Sequence, residues 1–417
     1  MPYLNFNPFH LYRETIKFDK SADSRSSAND PRIIFLIRKN PRTIGGIQTH
    51  NSTLYSALSS RFNIKRVSWD GPEWGVPLYF PVFYFKATRN GAGLVYCDDA
   101  VTSLVAPRIR RASGPKLVAA MHGLDVILPI DWYQKRLRAA IKSLDKIICL
   151  SRATAAEVKR RGGREDQVEI IPGAVDENPT GFARDDTLYD KINGMLGIDL
   201  RSKKVLISVG RCVKRKGFDG FVKRVFHRLS DEYVYIIVSP EPRTPMWIKT
   251  LRPFLGRKLH HNLLLASGAY TMHSDLKRLS RDHERLFYLN GVSEEMRDLL
   301  FSAGDLFIMP NRTVEGDMEG FGLVALEAAS RGLPVVATAI EGISDAVIEG
   351  RNGFCVEEND WQKMTYIIET MTSDRRELEQ FKIRAREFTL ANYSREKVFG
   401  RYAQLFDNLM SPFQPQL

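Results

Sequence analysis

Short runs of wholly apolar residues, separated by longer helical patterns, are the feature that most limits how this chain can fold. A strand with one face in water alternates polar and apolar residues, whereas a strand buried on both faces of a parallel sheet is apolar throughout. The runs cover residues 33–37, 64–67, 94–97, 117–121, 147–150, 168–171, 205–209, 233–238, 263–266, 286–289, 306–309 and 335–337. Candidate helices cover residues 48–60, 132–143, 152–161 and 361–410. The alternation predicts doubly wound parallel sheets of the α/β class.

A polar stretch over residues 177–203 divides the alternation into two series. We therefore expect two Rossmann-like domains that face each other across a cleft, with C-terminal helices that pack back on the first domain. The expected segments are a polar leader at 1–30, a first domain at 31–180, a linker at 181–203, a second domain at 204–390 and a crossover helix with tail at 391–417. Because such sheets bind ligands at the carboxyl ends of their strands, functional residues should follow strands.

The composition excludes several classes of protein. With 417 residues, 43% of them hydrophobic and 26% charged, the chain is neither disordered, nor collagen, nor a small disulfide scaffold. The four cysteines form no Cys-x-x-Cys pair, so a zinc cluster is not expected. We expect a reducing, cytoplasmic compartment instead. No run approaches the about 20 apolar residues of a membrane-spanning helix, and the N-terminus does not resemble a signal peptide. We expect a soluble protein that can still bind a membrane surface.

The formal net charge of +12 has three interpretations. Lys and Arg are densest between residues 108 and 164, with basic runs at 108–111 and 159–161. Such runs are often solvated helix faces, but they also suit an anionic membrane surface or a nucleic acid. Charge alone does not separate these interpretations.

Two candidate motifs follow strands of the first series. Gly45 and Gly46 precede a helix, where glycines let backbone amides approach an anion closely; the alternative is a plain tight turn. The segment is not the Gly-x-Gly-x-x-Gly fingerprint, so a nicotinamide enzyme is not favoured. His122, followed by Gly123, can donate a hydrogen bond into the cleft, although a lone histidine is often structural. No second histidine stands at metal-ligand spacing from it.

A basic loop follows the first strand of the second series. Arg211 and Lys216 lie five residues apart in it and can converge on a pyrophosphate, the arginine as a fork and the lysine as a point charge. The loop lacks the Walker A pattern. The alternative is a basic surface loop.

The segment from Glu319 to Glu327 is the most informative one. Gly320 and Gly322 would expose amides at a helix N-terminus, suited to an anion or to sugar hydroxyls. If the helix begins near Glu319, Glu327 lies two turns along it, about 12 Å away at 1.5 Å per residue. That separation suits an elongated ligand such as a nucleotide sugar and disfavours the paired carboxylates of a glycosidase. For either glutamate alone, an ordinary helix start is the simpler interpretation.

In their order along the chain these segments resemble the GT-B-fold retaining glycosyltransferases of family four. The matching positions are Gly45-Gly46, His122-Gly123, Ser151, 171–176, Gly210-Arg211, Lys216-Gly217, 305–310, Glu319 to Gly322, and Glu327. The resemblance covers residues 33–393. After the strand at 233–238 the chain departs from the family, because Ser239-Pro240-Glu241-Pro242 stands where a Gly-x-Gly turn is common.

The resemblance implies a role for each matching residue. Arg211 and Lys216 would bind the donor diphosphate, Glu327 the ribose, and Glu319 the donor sugar, which His122 would contact from the other domain. The Gly45-Gly46 loop would lie near the phosphates and the acceptor. The resemblance thus assigns catalysis to His122, Arg211, Lys216 and Glu319, and donor binding to Gly45, Gly46, Arg211, Lys216, Gly320, Phe321, Gly322, Leu323, Val324 and Glu327.

The same resemblance implies a front-face mechanism with retention and without a cofactor or divalent metal; Asp98-Asp99 is not an Asp-x-Asp motif. The donor would be a UDP- or GDP-hexose. The basic first domain and the aromatic run at 78–85 favour a glycolipid, lipid-linked oligosaccharide or polysaccharide precursor as acceptor. We therefore expect a cell-envelope glycosyltransferase in the cytoplasm, on the inner, anionic face of the membrane.

Other functions stay open at this point. A nucleotide-sugar epimerase would need no acceptor, and a phosphorylase would consume phosphate. A non-catalytic nucleotide-sugar sensor would not need the complete set of His122, Arg211, Lys216, Glu319 and Glu327. A nucleic-acid-binding protein would explain the charge, but no recognition helix, zinc finger or aromatic RNA-binding strand is evident, so no nucleic acid is expected as a partner.

Overall fold

The computed structural model of the protein describes residues 32–38, 46–69, 76–89, 91–111, 114–176, 186–241, 256 and 272–411. Gly45, the leader at 1–30 and the strand expected at 263–266 lie outside the described residues.

The first sheet has six parallel strands in the order β2-β1-β3-β4-β5-β6. Its strands are β1 Arg32–Ile37, β2 Ile64–Ser68, β3 Ala92–Cys97, β4 Lys116–Met121, β5 Lys146–Cys149 and β6 Val168–Ile170. Burial follows the sequence pattern, since Ile33 to Leu36 in β1 are completely buried on both faces of the sheet. The six strands predicted for the first series are confirmed.

Helices cover both faces of the first sheet. They are α1 Gly46–Ser59, α2 Val76–Arg89, α3 Ala106–Arg111, α4 Leu124–Ile127, α5 Asp131–Ser143 and α6 Arg152–Arg160. α2 is absent from the predicted elements because Pro81 lies inside it, where a proline removes a backbone hydrogen bond. Tyr79 and Phe83 of α2 are buried against the sheet, and this packing stabilises the helix despite the proline.

The second sheet also has six parallel strands, in the order β12-β11-β10-β7-β8-β9. They are β7 Lys204–Val209, β8 Tyr233–Ser239, β9 Leu286–Asn290, β10 Leu306–Met309, β11 Val335–Thr338 and β12 Gly353–Val356. The flanking helices are α7 Asp186–Leu196, α8 Phe218–Arg224, α9 His273–Arg281, α10 Glu294–Ala303, α11 Leu323–Ser330 and α12 Ile343–Ala346. β12 is an additional strand, which has too short and too mixed a pattern to be predicted.

Three C-terminal helices complete the chain: α13 Trp361–Ser373, α14 Arg375–Tyr393 and α15 Arg395–Met410. α15 leaves the second sheet and packs on the first, where Tyr402 and Phe406 join a cluster with Phe35 and Tyr96. α15 therefore packs back on the first domain, as predicted, whereas α13 and the start of α14 pack on the second. None of the helices in the described ranges is long and apolar enough to cross a membrane.

The carboxyl end of the first sheet contacts the loop that precedes α11 of the second. Ser151, two residues after the end of β5, donates a hydrogen bond of 2.6 Å from Oγ to the carbonyl oxygen of Gly320. A Cβ atom on Gly320 would lie 1.7 Å from the carbonyl oxygen of His122, which follows β4. Only glycine permits this backbone contact. The loops of the two domains therefore meet at the segment that carries the candidate site.

Candidate functional site

The loop after β7 buries two of its three consecutive cations. Lys214–Lys216 forms a single 3₁₀ turn, in which Lys214 is exposed while Arg215 and Lys216 keep only 5% and 7% of their surface accessible. Gly217 ends the turn with a φ of 66°, and a Cβ there would lie 1.9 Å from the carbonyl oxygen of Pro310. The glycine thus lets the turn pack against the end of β10 and directs the two side chains inward.

Both buried cations contact Glu319. Glu319 Oε2 accepts hydrogen bonds from Arg215 Nη1, from Lys216 Nζ at 2.6 Å and from Asn311 Nδ2 at 3.1 Å. Arg215 also bonds through Nε to Asp317 Oδ1 at 3.0 Å. Three donors converge on one carboxylate oxygen, which fixes the position of the Glu319 side chain.

Burial and the ion pairs act in opposite directions on the pKa values of Glu319, Arg215 and Lys216. Burial alone would raise the pKa of Glu319, but Arg215 and Lys216 outweigh it and lower that pKa to about 2. Burial likewise opposes charge on Arg215, yet Glu319 and Asp317 raise its pKa. The pKa of Lys216 is lowered, mainly by burial and further by the neighbouring Arg215 and Arg211. The site therefore holds a fixed anion beside cations.

The segment from Gly320 to Glu327 differs from the expected geometry in one respect. Gly322, with a φ of 83°, is the N-cap residue, so α11 begins at Leu323 rather than near Glu319. Glu327 consequently lies about one turn into the helix, about 6 Å along its axis, and not two turns. Glu319 to Phe321 form a loop before the helix instead of its first turn.

The Glu327 carboxylate accepts no hydrogen bond from any described residue. The side chains of Ser330 and Arg331 donate to the main-chain carbonyl oxygen of Glu327, not to its carboxylate. Burial raises the pKa of Glu327, and Arg297 and Arg331 oppose this effect. A partly buried carboxylate without a protein donor is suited to accept hydrogen bonds from a ligand. Leu323 and Val324, in the first turn of α11, are half-buried.

His122 is held by the first domain. Its Nε2 lies 2.8 Å from the carbonyl oxygen of Asp98, which can only accept, so Nε2 carries the proton. In the neutral ring Nδ1 is then an acceptor, and this buried atom has no partner within the described part of the chain. The His122 main-chain N–H donates to Asp125 Oδ1 at 2.9 Å. His122 thus offers an acceptor rather than the donor that the sequence first indicates.

The structure gives fewer contacts for the other predicted residues, Arg211 and the Gly45-Gly46 pair. Arg211 is exposed, and it lies near enough to Lys216 to lower its pKa. Gly46 begins α1, and its partner Gly45 lies outside the described residues.

Sequence reasoning missed Arg215, Asn311 and Glu341, which all contact Glu319. The run Lys214-Arg215-Lys216 showed charge, but not which side chains point inward. Asn311 and Glu341 follow β10 and β11, and this position after a strand was the only available signal. In the described ranges, no group of three or more His, Cys, Asp or Glu residues is arranged to hold a metal ion.

Comparison with known proteins gives matches over both domains. Residues 199–388 match the family described as "Glycosyl transferases group 1", and residues 57–178 match the one described as "Glycosyltransferase Family 4". A GDP-mannose-dependent alpha-(1-6)-phosphatidylinositol monomannoside mannosyltransferase of Mycolicibacterium smegmatis is 27% identical over 314 residues, 73% of this chain and 74% of the relative. A GDP-mannose-dependent monoacylated alpha-(1-6)-phosphatidylinositol monomannoside mannosyltransferase of Corynebacterium glutamicum is 26% identical over 284 residues, 66% of this chain and 65% of the relative.

Solved structures share the architecture. Anabaena HepE in complex with UDP and glucose superposes with a TM-score of 0.66 at 17% identity, covering 91% of this chain and 100% of that one. Sucrose-phosphate synthase of Thermosynechococcus elongatus has a TM-score of 0.70 at 17% identity, with coverage of 91% and 99%. With these matches, the chain belongs to the group 1, family-four type of glycosyltransferases, has the two-domain GT-B fold and is a hexosyltransferase.

Proposed function

We propose that the protein transfers a hexose from a nucleotide-diphosphate sugar to a glycolipid, with retention of the anomeric configuration and without a metal ion. The observation that carries this proposal is the convergence of Lys216, Arg215 and Asn311 on Glu319 at the carboxyl end of the second sheet. A diphosphate needs fixed cations and a sugar needs fixed hydrogen-bond acceptors. This cluster supplies both on adjacent loops.

The donor phosphates would bind Lys216 and Arg211. The Lys216 ammonium has three hydrogens, so it can keep its bond to Glu319 and donate another to a phosphate oxygen. Arg211 is exposed at the start of the same loop and can fork to two oxygens. Together they would stabilise the charge that grows on the leaving nucleotide.

The sugar and ribose would bind on either side of the phosphates. All three donors to the Glu319 side chain use Oε2, and Oε1 remains for a sugar hydroxyl. His122 Nδ1 would accept from another hydroxyl, and the amides of Gly320, Phe321 and Gly322 would donate. Glu327 would accept from the ribose, consistent with its lack of a protein donor in the described residues.

Transfer would occur on one face of the donor sugar. The acceptor hydroxyl oxygen forms the new bond to the anomeric carbon while the bond from that carbon to the diphosphate oxygen breaks, and the hydroxyl proton passes to the departing diphosphate. A carboxylate whose pKa is lowered to about 2, with one oxygen saturated by three donors, is a poor nucleophile and a poor base. This supports a route in which Glu319 does not become covalently bound to the sugar.

GDP-mannose is the first donor to test. The relatives at 25–27% identity over 73% of the chain are described as GDP-mannose-dependent mannosyltransferases of phosphatidylinositol mannosides. The neighbours solved with UDP share less sequence, 17–18% for HepE, and support only the fold. We accordingly propose a GDP-hexose over a UDP-hexose and a phosphoinositide-type glycolipid as the acceptor class.

An anionic membrane surface is the proposed partner of the first domain. Leu78 and Phe85 of α2 are 67% and 48% exposed, and Trp132 of α5 is 55% exposed. Both helices pack against the 3₁₀ turn Thr102–Val105. The exposed cations of the same helices and of α3 that form no salt bridge within the described residues are Arg89, Arg108, Lys135, Arg136, Arg138 and Lys142. Arg89 stacks on the Phe85 ring and Arg136 on the Trp132 ring. Apolar rings beside cations without a salt bridge suit an interface with acidic lipids.

A donor screen tests the function. The protein is incubated without added metal with GDP-mannose, GDP-glucose, UDP-glucose and dTDP-glucose, and melting temperature and slow donor hydrolysis are measured. We expect a selective shift and hydrolysis with GDP-mannose, and transfer to a phosphatidylinositol mannoside with an α-linkage by NMR. A β-linked product would overturn retention, and no shift with any nucleotide sugar would overturn the donor site.

A further inference from the structure

The main chain of Glu319 is held on both sides by two consecutive residues. Glu341 Oε2 accepts a hydrogen bond of 2.5 Å from the N–H of Glu319, and the N–H of Gly342 donates at 3.2 Å to the carbonyl oxygen of Glu319. Glu341 and Gly342 lie between β11 and α12, so this clamp comes from a different loop than the cations.

The backbone of Glu341 is in a conformation that glycine would adopt more easily. Its φ is 50°, and in the described part of the chain the other non-glycine residue with a positive φ is Asn359, at 70°. Gly342 beside it packs tightly, because a Cβ there would lie 2.1 Å from the carbonyl oxygen of Gly320. A glutamate in the left-handed region carries a conformational cost, so the observed structure needs a compensating contact of its side chain. The hydrogen bond to Glu319 is such a contact.

We infer that Glu341 is a positioning residue of the donor site, which fixes the Glu319 main chain and through it the carboxylate and amides that face the donor sugar. The part of this inference that concerns the donor sugar and turnover rests on the proposed function. Glu341 acts through Glu319, while Arg215 and Lys216 fix the same residue through its side chain.

Glu341 also makes the site sensitive to pH. The groups that act on its carboxyl are the Glu319 N–H and the charges of Arg215, Glu319 and Asp317. Burial, with repulsion from Glu319 and Asp317, raises the pKa of Glu341 to about 7. A donor diphosphate adds negative charge, which favours the protonated carboxyl further. Donor binding should therefore take up a proton, and donor affinity should fall as the pH rises above about 7.

Three variants separate positioning from a merely structural role. E341G relieves the backbone conformation and removes the side-chain half of the clamp, so we expect a melting temperature equal to or above that of the wild type but a kcat about ten- to a hundredfold lower, the range for one lost charged hydrogen bond. E341Q keeps an acceptor oxygen and removes the titration. It should retain turnover within about threefold at pH 6 and show a flat donor Kd between pH 6 and 8.

The matched control is N359G. Asn359 has the same type of backbone conformation and lies before α13, without a contact to Glu319. N359G should likewise have a melting temperature equal to or above that of the wild type and should leave kcat unchanged. A loss of turnover without a loss of stability is thus expected for E341G alone.

Hydrogen exchange of the amides at residues 316–324 provides a readout that does not need turnover. Faster exchange in E341G and unchanged exchange in N359G are expected. Unchanged exchange and kcat in E341G would overturn the inference, as would a fall in its melting temperature that accounts for the lost activity. If the wild type turns over no nucleotide sugar but E341G still accelerates exchange, the proposed function fails and the positioning by Glu341 stands.

Discussion

Lys216 Nζ lies 2.6 Å from Glu319 Oε2, so the cation expected to bind the donor diphosphate is already paired with the carboxylate expected to hold the donor sugar. The pair joins the loop after β7 to the loop before α11. Burial lowers the pKa of Lys216, and the pairing with Glu319 opposes that change. The donor therefore meets a preorganised site.

Removing individual contacts should separate binding from turnover. Lys216→Ala and Glu327→Ala should each weaken nucleotide-sugar binding about ten- to a hundredfold in calorimetry, because each loses a charged hydrogen-bond partner. Glu319→Ala should chiefly lower kcat. Lys214→Ala, which changes the exposed neighbour in the same turn, is the control and should bind normally. Wild-type kinetics in the first three variants, with folding intact, would refute the site.

Gly217 should tolerate alanine less well than Gly350. The two have nearly equal φ values, 66° and 67°, but a Cβ at Gly217 meets the carbonyl oxygen of Pro310 at 1.9 Å, whereas at Gly350 nothing lies within 4 Å. Both substitutions cost about 1 kcal/mol for the backbone conformation, and Gly217→Ala should cost at least about 1 kcal/mol more in urea unfolding. It should also weaken donor binding, since it displaces Lys216. Equal losses of stability would contradict the steric argument.

Ser151 should couple the two domains. Its hydroxyl caps α6 by accepting from the Thr154 N–H at 3.1 Å and donates to the Gly320 carbonyl at 2.6 Å. Ser151→Ala should lower stability by about 1 kcal/mol and kcat/KM by roughly fivefold. Ser293 Oγ caps α10 in the same way, by accepting from the Met296 N–H. Ser293→Ala therefore removes an equivalent cap and leaves the bond to Gly320 in place. It should lose similar stability and keep full kcat/KM; an equal loss of activity would leave no role for the bond between domains.

Acid should remove a stabilising contribution of Glu319. Its pKa falls from 4.5 to about 2 on folding, so its contribution is present above pH 4.5 and is lost as the pH falls through 2. The expected size is on the order of 3 kcal/mol at 1.36 kcal/mol per unit. The difference in unfolding free energy between the wild type and Glu319→Gln should therefore shrink between pH 4.5 and 2. A difference independent of pH across that range would contradict the ion-pair account.

Vesicle binding tests the membrane partner. We expect co-sedimentation with phosphatidylglycerol vesicles that weakens as salt rises and is absent on phosphatidylcholine. A double change of Phe85 and Trp132 to Ser should weaken it by about tenfold, because both rings are exposed and each lies beside an arginine. Tyr366→Ser, a 67% exposed ring on α13 of the C-terminal helices, is the control. Equal binding to neutral vesicles would exclude the electrostatic interpretation.

The sequence was sufficient for the class of fold and for the identity of the loops that carry the site. Wholly apolar runs mark strands buried on both faces, and this local signal predicted eleven of the twelve described strands, with their ends correct to within two residues; the exception is β12. Parallel strands bring their carboxyl ends to one edge, and the positions of His122, Lys216 and Glu319 after strands followed from that rule. These properties depend on periodicity along the chain.

Tertiary contacts decided what each side chain does. Lys214, Arg215 and Lys216 have the same charge, and only packing of their turn against Pro310 determines which two are buried. The start of α11 at Leu323 depends on the left-handed conformation of Gly322, and the protonated nitrogen of His122 depends on the carbonyl of Asp98. Glu341 bonds to a residue 22 positions away, from a different loop. Patterns along a chain specify which segments are buried, but hydrogen-bond partners and pKa values arise from groups that meet only after the sheets have formed and packed.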